Sequence, residues 1–274
     1  MIMKDLIISE IDSLPPLPQT ISELQKACLR EDVSVREIAS IIETDPLLTA
    51  NIIKTANSPL FGYSRTINSV SQAVMLFGIY TAKGLAIASA IKSQLEMDLS
   101  PYGLSVVDFT KASNLKGIFL SKWYQSKNPI LHSLISCALL IHIGMVVLAN
   151  VLRSTNKEKE FEKKLKSMSL VEAERSVLQV DQIEILEMLF EHWHFEETMV
   201  QIVHYLGKSE MSKELECYIY PLRVANFLIN PYSIASKEQI QEALKYVSLY
   251  KLDEEGFKRT LLEMGFVENL SEFE

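Results

Sequence analysis

Apolar positions recur at helical spacing along nearly the whole chain, and no run alternates apolar with polar between turn dipeptides. Leu6, Ile7 and Ile11 predict a short first helix. Leu14-Pro15-Pro16-Leu17-Pro18 predicts a stiff extended connector, because each proline restricts itself and the residue before it. Ile21, Leu24, Cys28 and Leu29 fall on one face of the next helix. Ser34, with Glu37 three residues on, predicts a capping box opening a helix that carries Val35, Ile38, Ala39, Ile41 and Ile42. Asp45-Pro46 opens another helix: the carboxylate can accept free amide protons, and proline at the first position loses nothing by lacking an N–H. Leu47, Leu48, Ile52 and Ile53 supply its apolar contacts, and Asn57-Ser58-Pro59 stops it. A polar loop over Gly62–Asn68 follows, then a short helix from Ser69 to Phe77 ended by Gly78, then Ile79–Leu95.

Ser105 with Asp108 begins a long helix through Trp123. Ile130–Leu152 contains no Asp, Glu, Lys or Arg and is long enough to span a bilayer. His132, Ser133, Ser136, His142 and Asn150 argue against a span, and Gly144 predicts a break into two buried core helices. A lysine/glutamate helix over 157–166, a capping box at Ser169 and Glu172, helices over Gln182–Trp193 and Glu196–Leu206, and at least two more within 213–264 complete an all-α fold. The chain divides into 10–208, with an N-terminal helical part at 10–95 and a second part at 103–208, and a C-terminal helical extension at 209–274.

Composition narrows the chemistry. Of the nine glycines the nearest pair is Gly78 and Gly84, so neither G-x-G-x-x-G nor a P-loop can be written, and G-x-S-x-G is absent. Residues 1–152 hold 12 basic and 12 acidic side chains, whereas 153–274 hold 15 and 23 and carry the whole net charge of −8. Without a basic footprint no nucleic-acid role is expected. Cys28, Cys137 and Cys217 are far apart and form no C-x-x-C, as expected of a reduced cytoplasmic protein. The N-terminus has no positive region leading into an apolar core, so no signal peptide is expected.

Leu14–Pro18, then Ile41-Ile42-Glu43-Thr44-Asp45-Pro46-Leu47-Leu48, then Ala56-Asn57-Ser58, then Ala73–Gly78, in this order and spacing, resemble the first half of an HDOD domain. This is the output-domain branch related to the HD metal-dependent phosphohydrolases. Cys137–Leu148 resembles the family's core helix pair, and Asp181–Tyr205, with Trp193, its closing pair. The resemblance covers about residues 10–208 and implies a multi-helix HD-like bundle with an additional N-terminal helical subdomain and a role in bacterial signal transduction. In metal-binding relatives the core pair reads Leu-Leu-His-Asp-Ile-Gly. Here Leu139-Leu140-Ile141-His142-Ile143-Gly144 puts isoleucine for the ligand histidine and histidine for the aspartate. The other positions that relatives fill with histidine fall at Ala112, Gln182 and Leu206-Gly207. Aliphatic side chains cannot coordinate a metal, and glutamine is a poor ligand.

His192 and His194, two apart on a helix, face opposite sides and are no chelating pair. A relocated metal site would need His142 and His204 to meet with Glu187 or Glu191. Asp45, Asn57 and Ser58 read either as helix-end structure or as a binding patch, and Trp193 as core or as an interface anchor. The expectation is a non-catalytic cytoplasmic signalling protein that binds a protein partner, with no catalytic residue, metal or cofactor. Its candidate interaction residues are Asp45, Pro46, Asn57, Ser58, Gly78 and Trp193. The acidic second half is the face expected to meet a basic partner. The alternatives are a small-molecule or nucleotide sensor using the emptied metal pocket, and a phosphohydrolase with relocated ligands.

Overall fold

Side chains of Ser34, Asp45, Ser69 and Ser105 cap the starts of four helices in the N-terminal half. The computed structural model describes residues 3–59, 66–124 and 130–269. Helix α1 (Met3–Asp12) buries Ile7 and Ile11, and the proline connector then runs extended into α2 (Gln19–Cys28). Helix α3 (Val35–Glu43) starts at Ser34, whose Oγ accepts from Glu37 N at 3.2 Å. Only half of the expected capping box forms, because the Glu37 carboxylate turns to Arg30 instead. Helix α4 (Pro46–Ala56) is capped by Asp45 and followed, beyond Asn57, by α5 (Val70–Phe77) and α6 (Ile79–Gln94). Gly78 joins α5 to α6 at φ 78°, a backbone region in which glycine has no Cβ to clash. Most of the loop expected over Gly62–Asn68 lies outside the described residues. Leu29 and Leu47 were expected on apolar faces but are 64% and 62% exposed: Leu29 follows the end of α2, and Leu47 lies in the first turn of α4 on its solvent side.

The second half wraps around one apolar helix. A 3-10 turn at Ser100–Tyr102 leads into α7 (Val106–Tyr124), and α8 (Leu131–Leu140) packs between α6 and α7. Contact is close because Gly84 and Gly117 face Leu139; a Cβ on Gly84 would lie 2.7 Å from its Cδ1. Helix α9 (Ile143–Ser154) packs on α12 (Gln182–His192), with α10 (Glu158–Leu165) and α11 (Leu170–Leu178) between them in sequence. Helix α13 (Glu197–Leu206) pairs with α12. Then α14 (Lys213–Leu228) packs on α7, α8 and α13. A two-residue ladder, β1 (Ile229–Asn230) against β2 (Ser233–Ile234), α15 (Lys237–Leu249) and α16 (Glu254–Glu263) complete the all-α fold.

The break in the apolar stretch falls at Ile141-His142, two residues before the expected Gly144. Gly144 lies within the first turn of α9 and serves a different need. A Cβ there would come 2.1 Å from the Gln182 carbonyl oxygen, so only glycine lets α9 approach α12 so closely. Leu131–Ser154 is long and apolar enough to cross a membrane, and 94% of its most apolar window is buried inside the fold.

Candidate functional site

Where metal-binding relatives carry ligands, this chain places buried aliphatic side chains and a histidine paired with glutamine. Ala112 and Ile141 are fully buried aliphatic groups. His142 Nδ1 lies 2.9 Å from Gln182 Oε1, and the ring meets Phe109 edge-on. Burial, reinforced by the nearby Lys116 charge, drives the His142 pKa well below its ordinary range and outweighs the Gln182 hydrogen bond. With the Gln182 carbonyl oxygen as partner, Nδ1 is the donor of this hydrogen bond. Lys116 is itself wholly buried, its Nζ donating to Asn226 Oδ1 at 2.6 Å, and burial lowers its pKa well below that of an exposed lysine. With isoleucine and alanine in ligand positions and the imidazole engaged by Gln182, these residues do not fit a divalent cation. Among the described residues no three His, Cys, Asp or Glu side chains come together as a ligand set.

The remaining aligned positions sit apart from one another in role. Gln182 opens α12, and its backbone N–H donates to Glu174 Oε2 at 2.9 Å. The other oxygen of this buried carboxylate accepts from the Tyr102 hydroxyl at 2.9 Å, yet burial pushes its pKa up to about 7. Leu206 is half-buried and Gly207 exposed at the end of α13, where Arg223 donates to the carbonyls of Tyr205, Leu206 and Lys208. His204 does not meet His142 across the core: it lies at the surface, 2.6 Å from Glu187 and against Lys208. The relocated metal site is therefore not assembled. Helix α12 ends at His192, so His194, at φ 53°, lies beyond the helix on which the pair was placed.

Trp193 and the proline connector form one unit. Trp193 Nε1 donates to Pro15 O at 3.1 Å, His192 Nε2 lies 3.0 Å from Leu14 O, and Gln94 Nε2 donates to Pro16 O at 3.1 Å. The connector has few internal hydrogen bonds to make, so its carbonyls are satisfied by α12 and α6. A second buried cluster joins α6, α8 and the start of α13. The Lys83 ammonium, wholly buried, lies 3.1 Å from Glu196 Oε1, and His132 Nδ1 lies 3.2 Å from Glu196 Oε2. Burial acts to raise the Glu196 pKa, but the His132 hydrogen bond and the Lys83 charge together hold it below the usual carboxylate range. Sequence reasoning missed Lys83 and Lys116. The signal was present: each is a lone lysine inside an apolar stretch, Ala82-Lys83-Gly84-Leu85 and Leu115-Lys116-Gly117-Ile118.

The family-like signature residues converge on a groove. Asp45 Oδ1 accepts from Leu47 N at 2.9 Å and Leu48 N at 3.0 Å, which fixes the start of α4 behind Pro46. At its far end Asn57 exchanges hydrogen bonds with Ile67, its Nδ2 donating to Ile67 O at 2.8 Å and its Oδ1 accepting from Ile67 N at 2.9 Å. Ser58 and Pro59 then line a groove of about 820 Å³ between α4, α6 and α7. Buried Leu85 and Ala88 form its floor, and exposed Leu47, Val106 and Val107 stand along it. Lys54, Lys92 and Lys111 also line it, and among the described residues none that lines it is acidic. Lys92 Nζ lies 3.4 Å from Thr110 Oγ1 and 5.9 Å from the Phe109 ring centre, and burial lowers its pKa to about 8.

A family model described as the HDOD domain matches residues 14–208. The crystal structure of a virulence factor from Campylobacter jejuni is 27% identical, with 97% of this chain and 98% of that one covered at a TM-score of 0.62. A protein from Marinobacter aquaeolei, provisionally described as a signal transduction protein, is 19% identical at a TM-score of 0.69 and shares the fold. It matches all of this chain, which spans 60% of its length. An uncharacterized protein from Treponema pallidum is 33% identical over 73 residues, which is 27% of this chain and 14% of that protein.

Proposed function

The chain belongs to the HDOD domain family, and from that premise we propose that it is a non-catalytic signal-transduction protein that works in the cytoplasm by binding a protein partner. The observation that carries the reading is the pair of buried aliphatic side chains, Ala112 and Ile141, at aligned ligand positions. Metal-dependent hydrolysis needs a cation to lower the pKa of bound water and to clamp the phosphate. Ile141 and Ala112 offer no donor to one, while His142 is paired with Gln182, which supports a reading without metal chemistry. Output then has to come from the surface, and the excess negative charge of residues 153–274 suits a basic partner face. The two buried thiols fit a reducing compartment: burial raises Cys28 to about 11 and Cys137 higher still, so both stay protonated and unreactive.

Elemental analysis of protein purified without chelators, with a phosphodiesterase assay in added manganese, tests this reading. The expected result is no stoichiometric metal and no turnover. One equivalent of Mn, Fe or Zn whose removal abolishes hydrolysis overturns it.

A further inference from the structure

We propose that the groove between α4, α6 and α7 binds a small amphipathic anion, its acidic head held by Lys54, Lys92 and Lys111 and its apolar body laid along Leu47, Leu85 and Val107. This goes beyond the adaptor reading and stands or falls separately from it.

Three observations carry the inference. The first is charge. The protein carries −8 overall, yet this groove gathers three lysines and, among the described residues, no carboxylate in its lining. Distant acidic residues are screened beyond about 10 Å at ordinary salt, so the local lysines decide what enters. The second is the mixture of surfaces. Leu85 and Ala88 are buried beneath the groove, while Leu47 and Val107 remain 62% and 75% exposed beside it. A purely inorganic anion would leave those apolar groups wet, and a purely apolar ligand would cover ammonium groups without pairing them. The third is size and polar equipment. About 820 Å³ falls in the range of small-molecule sites, which are mostly apolar with a few placed polar groups. Asn51, Ser58 and Asn114 lie along its walls. Lys92 is half-buried with a hydroxyl and an aromatic ring for company and carries the cost of burial; an incoming anion would offset it.

The probe pair 1-anilinonaphthalene-8-sulfonate and N-phenyl-1-naphthylamine differs only in the sulfonate, and fluorescence titration of the full chain with each tests the proposal. The sulfonate should bind saturably at one site, and the neutral amine at least tenfold more weakly. Lys54 and Lys111 are exposed, so the double variant Lys54→Gln/Lys111→Gln should keep its thermal unfolding and lose at least tenfold in sulfonate affinity, with amine binding unchanged. Val107→Glu, which sets an acid on the exposed rim, should weaken the sulfonate as well and so locate the site. Equal affinity for the two probes, or sulfonate binding indifferent to both variants, overturns the proposal. So does a groove covered by a second copy, seen in sedimentation velocity as a dimer that excludes the probe and dissociates in Val107→Glu. Co-pelleting with phosphatidylglycerol vesicles that the lysine variant abolishes would assign the lysines to a bilayer and overturn the free ligand.

Discussion

Asp45 shows how a single residue can carry two readings and how geometry separates them. Its carboxylate accepts two otherwise free amide protons of α4, and Pro46 occupies the first helical position. Asp45→Ala should therefore cost about 1 kcal/mol, read as a lower midpoint in urea with an unchanged slope. Binding of the sulfonate probe by the folded variant should be unaltered; an unchanged midpoint with lost binding would make Asp45 a ligand-contacting residue. This cap was legible because capping chemistry is local, confined to residues that are neighbours in sequence. Gly144 was not legible in the same way. A glycine within an apolar run reads as a helix break, and only the approach of the Gln182 carbonyl from a helix 38 residues away shows that close packing is what requires it. Lys116 escaped for a related reason: a lysine is ordinarily solvated, and its partner Asn226 lies 110 residues on.

Helices α11 and α12 and the Ser100–Tyr102 turn are joined by one buried carboxylate, and pH should reveal it. Glu174 accepts from the Tyr102 hydroxyl and from Gln182 N, the first N–H of α12, while burial raises its pKa from 4.5 to about 7. Below about pH 4.5 the group is protonated in folded and unfolded chains alike, and its ionisation costs nothing. Between 4.5 and about 7 the unfolded chain gives up this proton first, so stability falls as pH rises. Above 7 the full penalty is present, about 3 kcal/mol from the size of the shift. Glu174→Gln removes the titration. The difference in unfolding free energy between variant and wild type, measured from pH 4.5 to 8, should move by about that amount in the variant's favour, on top of a constant offset from the altered hydrogen bonds. A flat difference across this range would show that Glu174 does not titrate abnormally. At the scale of elements most boundaries were legible, since caps and periodicity set them. The Ile141-His142 break was misplaced because a pairing with Gln182 of α12, not a local glycine, accompanies the turn.

At the scale of the molecule, helical class and family were legible because periodicity and an ordered signature extend over most of residues 10–208. The place of the C-terminal segment was not, since the contacts that tie it to α7 and α8 are long-range and no motif announces them. The structure ties it to the bundle through α7. Trp123 Nε1 donates to Asp253 O at 2.8 Å, and Phe257 meets Phe119 and Trp123 at ring-centre distances of 5.4 and 4.9 Å. Tyr232 donates to Tyr102 O at 3.2 Å, and Asn226 supplies the acceptor for buried Lys116. A chain ending at Lys208 would uncover Phe119 and Trp123, both fully buried now, and leave Lys116 Nζ without its acceptor. Exposed aromatic surface and an unpaired polar group together are costly against a domain's whole stability of about 5–15 kcal/mol. Residues 1–208 alone should therefore lack a cooperative thermal transition. Phe257→Ala in the full chain, which removes only the aromatic plug, should cost about 3–5 kcal/mol. A truncated chain that melts cooperatively near the full-length midpoint, together with a Phe257→Ala variant of wild-type stability, would show that the tail rests on the bundle without holding it together.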